Sequence, residues 1–179
     1  MGKKAVVFLA EGFEEIEGLT QVDMLRRAGL TVLTVGVTGK TVTGAHGISV
    51  LADVEAGDFS LPEEPDLVVL PGGMPGTTNL AQSEMVKDAL REAAAKGRVI
   101  GAICAAPTVL HGLGLLEGKR FTAFPGFLEG EATGAAIEVD GNIITGRSAG
   151  VALQFAKALL TAVLGSEQAE ETVSKVYPE

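Results

Sequence analysis

Four short, almost unbroken apolar runs constrain this chain more than any other feature. They span Lys4–Ala10, Leu30–Val35, Asp66–Leu70 and Arg98–Ile103. A strand with one face in water alternates apolar and polar residues. A strand without alternation is covered on both faces, as in a parallel sheet flanked by helices. The intervening segments supply those helices. Over Glu14–Ala28, Ile16, Leu19, Val22 and Leu25 recur at helical spacing, with Glu15 and Arg26 on another side. Glu84–Lys96 is a second amphipathic helix, with Ser83 as its N-cap and Gly97 as its stop. Ser148–Leu164 reads as one long apolar helix ended by Gly165, and Glu167–Val176 as a short charged one. Two hairpins are expected, at Thr41–Thr43 with Ile48–Leu51 and at Ile137–Val139 with Ile143–Thr145, the second around Asp140-Gly-Asn142. Phe121–Phe124 is expected to add another strand. Strands alternating with helices predict an α/β fold with a mostly parallel sheet and helices on both faces.

Composition narrows what such a fold does. At 179 residues the chain suits a single domain over 1–179. A net charge of −9 without a basic stripe argues against nucleic acid as a partner. The apolar runs fall far short of the roughly 18 residues of a membrane span. The apolar part of the N-terminus, only six residues before Glu11, is too short for a signal sequence and reads as a first strand. One cysteine permits no intramolecular disulfide, which fits a reducing cytoplasm. Its spacing from the two histidines predicts no zinc site and no metal or other cofactor.

In parallel α/β sheets ligands bind beyond the carboxyl ends of the strands. Three unusual loops leave those ends and should converge: Glu11–Glu17, Pro71–Gly76 and Cys104–Pro107. Cys104 sits where the fourth apolar run turns into a helix that begins at Pro107. That is a nucleophile-elbow arrangement with sulfur in place of oxygen. The nearby helix N-terminus is expected to favour the thiolate. A buried structural cysteine is the alternative, and from Cys104 alone both readings stand.

Taken together, the residues Ala10-Glu-Gly-Phe-Glu-Glu-Ile-Glu17, Val22-Asp-Met-Leu-Arg-Arg-Ala-Gly29, Asp66-Leu-Val-Val-Leu-Pro-Gly-Gly73 and Ala102-Ile-Cys-Ala-Ala-Pro-Thr108 resemble the ThiJ/PfpI superfamily, in the branch of the Parkinsonism-associated deglycase and its bacterial relatives. The resemblance runs from Lys4 to about Gly165. It implies a flavodoxin-like three-layer sandwich, usually a homodimer, with an acidic residue beside the elbow cysteine. Glu17 falls on that acidic position. Burial beside the thiol should raise its pKa, and a protonated carboxyl there would donate to the sulfur. Glu14 and Glu15 read as ordinary helix-start glutamates. Gly72 and Gly73 allow close backbone approach, with the Gly73 and Ala105 N–H groups as oxyanion donors. Arg26 and Arg27 match a basic pair. Arg26 reads as a solvated helix end, whereas Arg27 is either that or a dimer-interface contact near the site.

The chain also departs from the pattern. Ala105 and Phe124 occupy the places where relatives carry a histidine, and His46 and His111 replace neither. A Cys–His peptidase is therefore disfavoured. Cys104 and Glu17 suffice for cofactor-independent glyoxalase or deglycase chemistry on methylglyoxal or its protein adducts, which is what the resemblance implies. An oxidative-stress sensor or redox-regulated chaperone acting through oxidation of the same cysteine is the competing expectation.

Overall fold

The computed structural model describes residues 2–59 and 65–178. Its main sheet has seven strands: β1 (Lys4–Leu9), β2 (Thr31–Gly36), β5 (Val54–Glu55), β6 (Leu67–Leu70), β7 (Val99–Ile103), β8 (Ile137–Asp140) and β9 (Ile143–Gly146). They lie in the order β5-β2-β1-β6-β7-β9-β8, and every neighbouring pair is parallel except β8 with β9. A separate antiparallel hairpin pairs β3 (Thr41–Thr43) with β4 (Ser49–Leu51).

Strand periodicity divides the core in two. Ala5, Val7 and Leu9 of β1 face one side, where they join Met24 and Leu25 of α1 (Glu15–Arg27), Phe155 and Leu159 of α5 (Ala152–Leu164) and Ala169 of α6 (Ser166–Ser174). Val6 and Phe8 face the other side. They meet Leu80 of α2 (Gly76–Gln82), Leu90 of α3 (Glu84–Ala95) and Leu110 of α4 (Pro107–Gly112). This is the expected three-layer, flavodoxin-like sandwich. Its unalternating strands are apolar because each face has its own helical layer.

Two expected elements take a different form. Phe121–Phe124 is not a strand. The edge of β7 is already filled by β9, so the segment's backbone bonds elsewhere: Thr122 N–H donates to Thr145 Oγ1 at 2.9 Å and Phe124 N–H to Cys104 O at 2.8 Å. The single helix expected over Ser148–Leu164 is a 3₁₀ turn at Ala149–Val151 followed by α5. Ser148 is fully extended, with φ −168° and ψ 172°, so the helix cannot start there.

Candidate active site

The strand order reverses between β1 and β6, and the site lies beyond the carboxyl ends of the central strands, at this switch point. The loop after β1 leads into α1 and Glu17. The loop after β6 contributes Gly72 and Gly73, and β7 delivers Cys104.

Cys104 has φ 65°, the left-handed conformation that costs a residue with a Cβ about 1–2 kcal/mol. Neighbours hold it there. Its N–H donates to Gly146 O at the end of β9, and its carbonyl accepts from Phe124 N–H, both at 2.8 Å. The thiol is half-buried. The sharp turn expected of an elbow is therefore present, and β9 and the 121–124 segment brace it.

Glu17 is fully buried. Gly72 N–H donates to its Oε2 at 2.9 Å, and its Oε1 is buried as well. Gly72 shows how tightly these groups meet. A Cβ there would lie 2.7 Å from both Cys104 Cβ and Glu17 Oε2. Gly73 has φ 90°, and a Cβ on it would stand 2.4 Å from the Glu14 backbone nitrogen. Only glycine lets this loop press against both the acid and the thiol.

Burial pushes the Glu17 carboxyl up to about 7; the Cys104 side chain and the Gly72 N–H oppose the rise, and the charge of Glu14 adds to it. This is the shift expected from the sequence. Burial likewise pushes the Cys104 thiol up to about 12, and the Glu17 charge adds to that rise. The N–H groups of Ala105 and Gly73 act against it without prevailing. The helix N-terminus expected to favour the thiolate is opposed here by burial and by the neighbouring acid. Each charge opposes the other's ionisation, so the pair carries at most one negative charge near neutral pH. Desolvation acts on the sulfur directly and opposes the pull of the nearby N–H groups. The result is a sulfur and a carboxyl whose protonation is coupled.

The remaining candidates lie outside this pair. Arg27 is on the exposed last turn of α1, paired with Asp23 at 2.7 Å. Arg26 pairs with Asp53 at 2.9 Å. His111 sits 3.2 Å from Glu131, and the Phe124 side chain is 44% exposed. His46 Nδ1 lies 2.8 Å from Glu15 Oε2, and that buried carboxylate also accepts from the His46 N–H at 2.7 Å. Among the described residues, Glu14, Glu15 and His46 bring three possible metal-ligating atoms within 4.8 Å of one another. Their sequence spacing conceals this grouping, because the β3–β4 hairpin must fold back onto α1 to form it. The hairpin pattern was the only available signal. The bracing roles of Gly146 and Phe124 were hidden for the same reason, since both depend on backbone atoms.

The sequence profile of the DJ-1/PfpI family matches residues 3–162. The Parkinson disease protein 7 homolog of Danio rerio is 35% identical over 178 residues, covering 95% of this chain and 94% of that protein. The glutathione-independent glyoxalase DJR-1.2 of Caenorhabditis elegans is 32% identical over 173 residues, covering 93% and 91%. The oxidized DJ-1 of Toxoplasma gondii superposes with a TM-score of 0.94 at 31% identity, covering 98% of both chains. Fold, elbow and sequence agree that this chain belongs to the DJ-1/PfpI family.

Proposed function

We propose that this protein is a cofactor-independent glyoxalase or deglycase acting on small reactive carbonyls such as methylglyoxal, or on their protein adducts. The carrying observation is the fully buried Glu17 carboxyl set beside the Cys104 sulfur, with the Gly72 N–H on its Oε2. It is an acceptor placed to take the sulfur's proton as the sulfur attacks. The C. elegans glyoxalase relative supports the same reading.

The proposed reaction follows from these groups. Sulfur bonds to the aldehyde carbon, and its proton passes to Glu17. The carbonyl electron pair moves to oxygen, where the Gly73 and Ala105 N–H groups offer hydrogen bonds. Protonation of that oxygen by Glu17 gives a hemithioacetal and restores the carboxylate. Glu17 then removes the proton from C1 and returns it to C2 while the C1 hydroxyl proton passes to the C2 oxygen, leaving a lactoyl thioester. Water cleaves the thioester to lactate and regenerates the thiol. A carboxyl with a pKa of about 7 suits both directions of transfer at neutral pH.

The test is lactate formation from methylglyoxal by glutathione-free protein, with Cys104→Ala and Glu17→Gln alongside. Turnover by wild type alone is expected. Activity retained by either variant would remove that residue from the mechanism. Oxidation sensing through Cys104 is the second reading, supported by a thiol that is only half-buried and by the likeness to the oxidized DJ-1 of Toxoplasma gondii.

This reading takes 1–179 as one domain and assigns it to the cytoplasm. Among the described residues, no helix is long and apolar enough to cross a membrane. We place a homodimer contact on the α1–α5 face, where Ile16 is 56% exposed and Leu153 39%. Thr20, Asp23 and Gly150 line the same shallow depression. Arg27, bonded to Asp23, sits beside that face and would approach the site across the interface.

A further inference from the structure

We propose that Glu14 is a positioning residue of this site, whose carboxylate holds Glu17 against the Gly72 loop and presents a second negative charge to it. The basis is a closed ring of three hydrogen bonds. Glu14 N–H donates to Gly72 O at 2.9 Å. Gly72 N–H donates to Glu17 Oε2 at 2.9 Å. Glu17 N–H donates to Glu14 Oε2 at 2.7 Å. Each residue donates once and accepts once, so the start of α1, the reacting carboxyl and the oxyanion loop share one fixed geometry.

Capping alone does not account for the residue type. Glu14 is the N-cap of α1, with φ −83° and ψ 123°. The shorter Ser, Thr, Asp and Asn are the favoured caps, and Ser or Thr satisfies the same N–H without a charge. Glutamate here adds a charge that opposes ionisation of the buried Glu17 carboxyl, an arrangement that works against stability. It is understandable if the charge serves the site by making Glu17 a stronger base.

The titratable groups acting on Glu17 are Glu14, from its own helix, and Cys104, from the elbow. The loop after β6 and the 149–151 turn offer it backbone N–H groups. Glu14 in turn faces His46, whose Nδ1 lies 4.0 Å from its Oε1, and the neighbouring Glu15.

The proposal rests on Cys104 and Glu17 as the reacting pair, not on the substrate. Its test is therefore the pH dependence of Cys104 alkylation by iodoacetamide, with thermal melting in parallel. Wild type should show an inflection near the Glu17 value of about 7. Glu14→Gln and Glu14→Ser keep a capping oxygen but remove the charge. In both, the inflection should move to lower pH by about half a unit to one unit. His46→Gln should leave it in place. An inflection unmoved in both Glu14 variants, with only the melting temperature altered, reduces Glu14 to a cap and overturns the proposal. A shift in His46→Gln as large as that in Glu14→Gln overturns it in favour of the histidine. An inflection that survives Glu17→Gln defeats the reacting pair itself, and the proposal with it.

Discussion

Glu17→Gln should make the protein more stable at pH 8 while destroying its activity. A buried acid whose folded pKa lies above its unfolded value keeps its proton in the native state after the unfolded chain has lost it. Between those two values the native state binds more protons, so stability falls as pH rises through the window. For Glu17 the window runs from 4.5 to about 7, which corresponds to about 3 kcal/mol. No solvent screening reduces this, since the side chain is fully buried. Glutamine retains a carbonyl oxygen for the Gly72 N–H and never ionises. The variant should therefore match wild type near pH 4.5 and exceed it at pH 8 by up to that amount, on the order of 6–12 °C in melting temperature for a domain of this size. Urea denaturation at pH 5, 6, 7 and 8 measures the slope for both proteins. The Cys104 shift does not interfere, because its window opens only at 9.0. Equal slopes in the two proteins, or a variant less stable than wild type at pH 8, would refute the reasoning.

Three other substitutions probe the surroundings. Gly73→Ala combines a left-handed φ with a 2.4 Å contact to the Glu14 nitrogen, so chemical denaturation should show a loss of about 1–3 kcal/mol and turnover should fall with it. Gly101→Ala would meet Leu159 Cδ2 at 2.7 Å and Phe155 Cζ at 3.1 Å, and overpacking between β7 and α5 should cost about 1–3 kcal/mol in the same assay. Glu15 raises the His46 pKa by hydrogen bond and charge, so their pairing contributes fully below 6.5 and fades as pH rises through the folded value. His46→Gln should accordingly lower the melting temperature more at pH 6 than at pH 8, and an equal drop at both would remove the charged pairing from the account.

The sheet and its helical layers were legible because burial on both faces leaves strands no polar alternation. α2 was not, since Gly76-Thr-Thr-Asn79 lacks an apolar stripe and the helix is buried mainly through Leu80, Gly76 and Thr77. Phe121–Phe124 has the apolar character of a strand, but strand formation also requires a free sheet edge, and composition carries no information about that. Within the site, residue identities were readable from the loops that carry them. The upward push on the Cys104 pKa was not. It depends on desolvation balanced against two backbone N–H groups, quantities set by packing. The part played by Glu14 was equally hidden, because its ring closes through Gly72, a residue distant in sequence.

The hydrogen bond from Cys104 N–H to Gly146 O also orders events during synthesis. The cysteine leaves the ribosome well before β9 exists, and a domain folds as a unit. Until Gly146 arrives, nothing from β9 braces the left-handed backbone of the elbow, and the sulfur behaves as a thiol on an open chain, titrating near 9.0. Nascent or truncated chains ending before β9 are therefore the forms most exposed to indiscriminate alkylation and disulfide exchange. The backbone shape that presents Cys104 is thus completed by one of the last strands to be made.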